Sequence, residues 1–229
     1  MTAPLVSVIM AVRNGERFLR QAIESVFSQD YRPIEIILID GQSVDRTAEI
    51  ARAFPDIHYI YQETLGTANA YNKGITESRG EYVAFLSHDD LWTPDKLSAQ
   101  VGYLIEHPEA QCTITRVKFF LEPGCAFPAT LHREILEGDR AVRIMETLVA
   151  RRQAFDQVGM FDPQVSPADD VDWFARANDL GVSVAVIDRV LLLKRIHDRN
   201  TSVNAAGNMQ SLFIALRRSS ARKRELEIE

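Results

Sequence analysis

The sequence contains very little cysteine and no long hydrophobic run. Its 229 residues include two cysteines, Cys112 and Cys125, which do not form a CxxC pair. This excludes the common zinc-binding patterns, and we expect reduced thiols in a cytoplasmic protein. No stretch approaches the roughly 20 apolar residues of a transmembrane helix. The apolar run near the amino terminus is short and follows no basic segment, unlike a signal peptide.

An excess of positive charge is also missing. The 26 basic and 32 acidic residues give a formal net charge of -6, which argues against non-specific nucleic-acid binding. We therefore expect no nucleic-acid partner. The carboxyl end differs, because five basic residues lie between Arg217 and Arg224. Four alternatives stay open: a terminal helix that docks on the domain, a solvated helix end, a peripheral contact with an anionic membrane at the inner face, and a contact with a partner such as a second copy in a homodimer.

Internal repeats and linker-like segments are absent, so we predict one domain at 1–205 and a basic tail at 206–229. Apolar runs predict buried strands at Leu5–Val12, Ile34–Ile39 and Tyr82–Leu86, separated by segments with helical spacing. Strands that alternate with helices are typical of a doubly wound α/β sheet. No G-x-G-x-x-G follows the first strand, so the dinucleotide-binding fingerprint is missing.

Carboxylates follow two of these strands, at the edge where open α/β sheets bind ligands. Asp40 ends the second strand, where it either accepts a hydrogen bond from a nucleobase or ribose or only caps a turn. Asp89 and Asp90 follow the Tyr82–Leu86 strand. Adjacent carboxylates suit Mg²⁺ or Mn²⁺ together with substrate phosphates. The alternative is an acidic cap before a helix that begins at Pro94.

Three further polar groups suit an anionic substrate. Lys73 either meets a phosphate or is solvated. Arg195 and His197 alternate along a strand, so they share a face that suits a diphosphate.

Asp169 and Asp170 begin a predicted helix, where one carboxylate suffices as a cap. A second carboxylate that faces a cleft suits a general base.

Six segments, taken together, resemble the family 2 glycosyltransferases of GT-A fold. The segments are VSVIMAVRNGERFLRQAIESVFSQDY, IEIILIDGQSVDRTAEI, NKGITESRGEYVAFLSHDDLWTPDKL, GMFDP, ADDVDWFARA and RIHDRNTS. The resemblance covers about residues 4–202. It implies an α/β, Rossmann-like single domain with a mixed, mostly parallel central sheet flanked by helices. About residues 1–110 would bind the nucleotide sugar, and about 111–205 would form the acceptor side.

The resemblance also implies roles for individual residues. Asp170 would be the catalytic base, Asp90 the ligand of Mn²⁺ or Mg²⁺, and Asp89 a contact of the ribose. The implied nucleotide-binding set is Ala11, Val12, Arg13, Asp40, Asp89, Arg195 and His197, to which we add Lys73 as a candidate phosphate contact. The chain departs from the family pattern in three places: Arg13 replaces a common Tyr, Asp169 replaces Glu, and Ser-His-Asp-Asp replaces Asp-x-Asp.

The implied reaction is metal-assisted, inverting transfer of a sugar from a nucleoside-diphosphate sugar, with UDP favoured, to an acceptor hydroxyl. The acceptor would be a saccharide, a lipid-linked molecule or a protein, in the synthesis of cell-surface polysaccharide or glycoconjugate. Two alternatives stay open: a catalytically silent nucleotide-sugar-binding subunit and a sugar-1-phosphate nucleotidyltransferase. The latter would need a glycine-rich triphosphate loop, for which Arg13–Glu16 is a poor substitute.

Overall fold

The structure is a computed structural model that describes residues 3–200, 214, 217–219 and 222. Its first half alternates strands and helices. The elements are β1 (Val6–Val12), α1 (Leu19–Phe27), β2 (Ile34–Asp40), α2 (Thr47–Arg52), β3 (Ile57–Tyr61), α3 (Thr67–Glu77) and β4 (Tyr82–Phe85).

The second half is less regular. Its elements are β5 (Leu91–Trp92), α4 (Lys96–Glu106), β6 (Cys112–Leu121), β7 (Arg140–Ala141), β8 (Val149–Arg151), α5 (Arg152–Val158), α6 (Asp169–Asp179) and β9 (Val184–Ile196). A single 3₁₀ turn, Met145–Thr147, precedes β8.

Among the described residues, these strands form one mixed sheet in the order β3-β2-β1-β4-β8-β6-β9-β5, with β7 paired to β6. The neighbours β3, β2, β1 and β4 are parallel. The strand β8 runs antiparallel to both β4 and β6, whereas β9 is parallel to β6. The predicted α/β architecture with a mixed sheet is therefore confirmed.

Both faces of the sheet are covered, which explains why β1 is apolar throughout. Val8 and Met10 point to one face and pack with residues of α1 and α4. Ile9 points to the other face and packs with residues of α3, α5 and α6. The alternation follows from the two-residue period of a strand.

The helix after the acidic pair starts later than the sequence predicts. We expected Pro94 as its first residue, but α4 begins at Lys96, and Asp95 is its N-cap. The two residues of β5 pair with β9, Thr93 donates its backbone N–H to the Leu191 carbonyl, and Pro94 and Asp95 then form a turn before the helix. A two-residue strand leaves too short a pattern to be predicted from sequence.

Two further predictions concern the cysteines and the domain boundary. Cys112 and Cys125, both described, are free thiols, as predicted. The domain boundary at 205 lies outside the described residues. Among the helices of the described chain, none is both long and apolar enough to cross a membrane.

Lys96 is a fully buried cation that lies away from any ion pair. Its ammonium donates to the side-chain oxygen of Gln100 and lies 4.5 Å from the centre of the Trp92 ring. Burial lowers the pKa of Lys96 to about 7. An unfolded chain restores an ordinary lysine pKa of about 10.4. Between these two pH values the unfolded chain binds more protons, so stability rises with pH.

We predict that this rise is lost in Lys96→Met. The difference in free energy of unfolding, wild type minus variant, should increase by up to about 1.4 kcal/mol for each pH unit between pH 7 and 10. Denaturant titrations across this range measure the gap. Lys73→Met is the control, because Lys73 is exposed on α3. A gap between wild type and Lys96→Met that does not change with pH would contradict the prediction.

Candidate active site

A cavity of about 630 Å³ opens at the carboxyl ends of the four parallel strands. Each strand delivers residues to its wall because parallel strands end at the same edge of a sheet. The lining residues from this half include Ala11, Val12, Arg13, Gly41, Gln62, Ser87, His88 and Asp89. The structure therefore brings together four of the predicted nucleotide-binding residues: Ala11, Val12, Arg13 and Asp89.

The opposite wall comes from the second half of the chain. Glu146 reaches the cavity from the turn before β8, and Asp169 and Asp170 reach it from the first turn of α6. Lys194, near the end of β9, and Arg199, just beyond it, supply positive charge. The predicted base, Asp170, thus faces the same cavity as the ends of the parallel strands.

Asp90, the predicted metal ligand, does not line this cavity. It is completely buried, and one carboxylate oxygen accepts from Lys194 Nζ at 2.7 Å, while the other accepts from the backbone N–H of Arg195 at 2.9 Å. Burial raises the pKa of Asp90 to about 7, an effect that the Lys194 ammonium opposes. Asp90 therefore ties the loop after β4 to β9.

Asp89 is the member of the pair that faces the cavity. Its Oδ2 accepts from His197 Nε2 at 3.0 Å and from Asn200 Nδ2 at 3.3 Å. His197 Nδ1 accepts from the backbone N–H of Arg199, so the imidazole proton belongs on Nε2. Burial opposes ionisation of Asp89, but the His197 hydrogen bond and the charges of His88 and Lys194 hold its pKa below the ordinary value.

Glu146 is a carboxylate that the sequence analysis did not identify. Its Oε1 accepts from Ser87 Oγ at 2.5 Å and lies 3.4 Å from Lys194 Nζ. Burial acts against ionisation, yet the Lys194 charge and the Ser87 hydrogen bond keep the pKa of Glu146 below normal. Lys194 is thus flanked by Asp90 and Glu146, and its pKa is held well above the ordinary lysine value despite burial.

Asp169 and Asp170 both lie in the first turn of α6 but differ in surroundings. Asp169 is 5% exposed, and burial raises its pKa. Asp170 is more accessible and accepts from the backbone N–H of Val171 at 2.7 Å. Burial raises the pKa of Asp170 to about 7, and the charges of Asp169 and Glu146 act in the same direction.

Asp172, two residues further on, has a different task. It is 2% exposed and forms an ion pair with Arg176, 2.8 Å away, one turn along α6. Arg176 also donates to backbone carbonyls of the Val158–Met160 segment, so the pair joins α6 to the end of α5. Asp172 does not line the cavity and therefore does not join Asp170 there.

Four predicted nucleotide-binding residues lie outside the cavity lining, and Asp40 and Lys73 are two of them. Asp40 is 1% exposed, and its two oxygens accept from Tyr59 Oη at 2.7 Å and from the backbone N–H of Ser43 at 2.9 Å. Lys73 lies on the surface of α3 and forms an ion pair with Glu77, 2.6 Å away. Asp40 thus interacts as a turn cap and Lys73 as a surface lysine. These are the alternatives to nucleotide binding that the sequence left open for the two residues.

Arg195 and His197 also support the cavity from behind. The guanidinium of Arg195 donates to the backbone carbonyl of Asp89 at 2.8 Å and to Gln21 Oε1 at 2.7 Å, and it pairs with Glu122. It is 4% exposed. The residues of this basic segment that reach the cavity are Lys194, which the alternation of β9 points away from Arg195, and Arg199, which lies beyond the end of β9.

A metal site built from protein groups alone is not formed by the described residues, because no three His, Cys, Asp or Glu side chains converge suitably. Hard divalent cations often bind through one or two carboxylates plus substrate phosphates. Asp89 fits that mode, since it lines the cavity and no described residue donates to its Oδ1. Asp90 does not fit, since both its oxygens are already engaged.

Three basic residues of the predicted tail are described, Arg217, Arg218 and Arg222, and the last two contact acidic groups. Arg218 pairs with Asp162, and Arg222 lies 3.3 Å from Asp179 and 3.8 Å from Asp172. These contacts place the two arginines against α6 and the turn before it. The rest of the predicted basic segment, apart from Arg217, lies outside the described residues.

Comparison with known proteins gives the family. The profile described as glycosyl transferase family 2 matches residues 7–160. An uncharacterized glycosyltransferase of Rickettsia typhi is 32% identical over 91% of this chain and 69% of its own length. TuaG of Bacillus subtilis, provisionally assigned to teichuronic acid biosynthesis, is 37% identical over 45% of this chain and 43% of its own length.

Solved structures share the fold at low sequence identity. Staphylococcus aureus TarS 1-349 in complex with UDP-GlcNAc has a TM-score of 0.77 and 18% identity, over 95% of this chain and 66% of that one. The mannosyltransferase PcManGT of Pyrobaculum calidifontis, in complex with GDP-Man and Mn²⁺, has a TM-score of 0.72 and 20% identity, over 95% and 65%. The chain thus spans about two thirds of these structures. With the predicted GT-A fold matched and the profile covering residues 7–160, the chain belongs to glycosyl transferase family 2.

Proposed function

We propose that the chain transfers a sugar from a nucleoside-diphosphate sugar to an acceptor hydroxyl, with inversion at the anomeric carbon. One observation carries the proposal: Asp170, whose pKa is raised to about 7, faces the cavity at the carboxyl ends of β1 to β4. A general base works best when its pKa lies near the operating pH. The bound ligands of the structural neighbours, UDP-GlcNAc and GDP-Man, support a donor of this class.

The proposed mechanism assigns each wall of the cavity a role. Asp170 accepts the proton of the acceptor hydroxyl, whose oxygen attacks the anomeric carbon. The bond from that carbon to the diphosphate oxygen breaks, and the nucleoside diphosphate leaves. Lys194 and Arg199 line the cavity and supply positive charge for the leaving diphosphate. Glu146 holds Lys194 in place and helps to keep the pKa of Asp170 high.

A divalent cation would be held by Asp89 together with the diphosphate. We therefore move the metal proposal from Asp90 to its neighbour, because Asp90 is fully engaged by Lys194 and Arg195. The Mn²⁺ of the PcManGT complex supports metal use in this fold. When bound, Mn²⁺ or Mg²⁺ would neutralise charge on the leaving diphosphate.

Two alternative functions are separated by simple observations. A silent nucleotide-sugar-binding subunit would bind donor without releasing nucleoside diphosphate from it. A nucleotidyltransferase would need backbone groups around a triphosphate. The segment after β1 has a single glycine, and its backbone N–H groups at Asn14, Gly15 and Glu16 already donate to side chains of the loop before α2.

Synthesis of a cell-surface polysaccharide is the biological setting that the similarity to TuaG supports.

The first prediction separates Asp170 from Asp169. Asp170→Asn should lower the transfer rate by roughly 10²–10⁴-fold, because an amide does not accept a proton at neutral pH, while donor binding persists. Asp169→Asn is the matched control and should retain more activity. Release of nucleoside diphosphate from the donor reports the rate, and calorimetry reports donor binding. An inactive Asp169→Asn beside a nearly normal Asp170→Asn would reverse the two assignments.

The second prediction concerns pH. Because the base must be ionised and its pKa is about 7, kcat/KM should rise about tenfold per pH unit below pH 7 and level off above it. The residual rate of Asp170→Asn should not show this rise with pH.

The same raised pKa also affects stability. Because the pKa of Asp170 is higher in the folded protein than in the unfolded chain, ionisation of Asp170 lowers the stability as pH rises from about 4 to 7. Asp170→Asn should therefore melt at a higher temperature than the wild type at pH 8, an advantage that shrinks at pH 4.

The third prediction tests the reassigned acidic pair. Asp90→Ala should lower the free energy of unfolding by about 3–5 kcal/mol, because it leaves the buried Lys194 ammonium without its closest partner. Asp89→Ala should destabilise less, yet it should lose the Mn²⁺-dependent part of UDP or GDP binding. Denaturant titration and calorimetry with Mn²⁺ or EDTA measure the two effects. A stable Asp90→Ala variant that has lost metal-dependent binding would restore Asp90 as the ligand.

A further inference from the structure

The side chain of Gln62 presents a free acceptor to the cavity. Gln62 directly follows β3, is 7% exposed and lines the wall that Val12, Arg13 and Gly41 also form. Among the described residues, no donor forms a hydrogen bond with its Oε1. The oxygen is not fully buried, so it is accessible from the cavity, where a donor group of a ligand can take the place of water as its partner.

The orientation of this amide is fixed. Gln62 Nε2 donates to the backbone carbonyls of Thr64 at 2.5 Å and Gly66 at 3.0 Å, so both amide hydrogens are used. A flipped amide would set its oxygen against two carbonyl oxygens, which repel it. Gln62 therefore offers the cavity an acceptor and never a donor.

The wall around this oxygen leaves room for a flat ligand group. A Cβ placed on Gly41 would lie 3.5 Å from Gln62 Oε1 and 3.4 Å from the Val12 carbonyl, so a side chain there would occupy the space in front of the acceptor. Asp40 is another acceptor at this edge, but its carboxylate is buried. Its two oxygens already accept hydrogen bonds from Tyr59 and Ser43. Among the described residues at the ends of β2 and β3, Gln62 is thus the side-chain acceptor that lines the cavity.

We infer that Gln62 selects the nucleobase of the donor by accepting a hydrogen bond from a ring N–H. Uracil N3–H and guanine N1–H are such donors. Cytosine N3 and adenine N1 are acceptors at the same ring position, so an amide oxygen placed opposite that position repels them, and only their exocyclic amino groups could donate to it. The selected donors are then nucleotides of uracil, thymine or guanine. This inference rests on the proposed function, because it requires a nucleotide in this cavity.

Calorimetric titration of UDP, GDP, CDP and ADP against the wild type and Gln62→Met tests the inference. The wild type should bind UDP or GDP at least about tenfold more tightly than either CDP or ADP. Methionine has a similar length but no comparable acceptor. In Gln62→Met the affinity for the preferred nucleotide should fall by about tenfold or more, and that for CDP and ADP should stay the same.

Two controls separate base reading from loop support. Asn69→Ala removes the 2.8 Å hydrogen bond from Nδ2 to the Leu65 carbonyl, so it loosens the same loop without touching the acceptor. Its nucleotide preference should match that of the wild type. Inorganic pyrophosphate should bind Gln62→Met as it binds the wild type, since it has no base.

The outcomes that overturn the inference are distinct from failure of the proposed function. If nucleoside diphosphates bind but CDP or ADP is preferred, Gln62 does not select a ring N–H. The same holds if Gln62→Met keeps the wild-type preference, or if Asn69→Ala loses it equally. If none of the four nucleotides binds the wild type, both the proposed function and the role of Gln62 are wrong.

Discussion

The ion pair between Asp90 and Lys194 is the interaction on which the candidate site depends. It joins the loop after β4 to β9, and β9 belongs to the half of the sheet that β8 separates from the parallel strands. Removing one partner of such a buried pair is costly, whereas replacing both with apolar groups can be neutral. The pair therefore contributes position more than stability. It fixes the Lys194 ammonium at the cavity and leaves Asp89 facing the ligand.

The same ammonium organises the remaining carboxylates. Glu146 stays ionised because Lys194 and Ser87 stabilise its charge. For Asp170, burial and the charges of Asp169 and Glu146 outweigh the opposing charge of Lys194, so its pKa rises. Carboxylates of one cavity thus have different proton affinities, which is what a site needs when one group must take a proton and others must stay charged. An acidic cavity also needs Lys194 and Arg199 to accept a diphosphate at all.

The mostly parallel sheet and the position of the cavity were predictable because they follow from long, regular patterns. The apolar runs of β1, β2 and β4 indicated a parallel sheet, and parallel strands must end at one edge. The side-chain directions at that edge were not predictable. Asp89 and Asp90 are adjacent in sequence, and only β9, a hundred residues away, decides which of them is buried. Glu146 was missed because it lies in a short 3₁₀ turn without a repeating pattern, although an acidic residue beside an apolar strand was a usable signal.

The most direct test of inverting sugar transfer in this cavity is a ¹H NMR measurement of the sugar released from UDP- and GDP-sugars, with the acceptor replaced by water. The first anomer to appear should have the configuration opposite to that of the donor, together with an equivalent of free nucleoside diphosphate, because a single displacement inverts the anomeric carbon. Release of the retained anomer would contradict single displacement with Asp170 as the base, and binding without any release would contradict transfer itself.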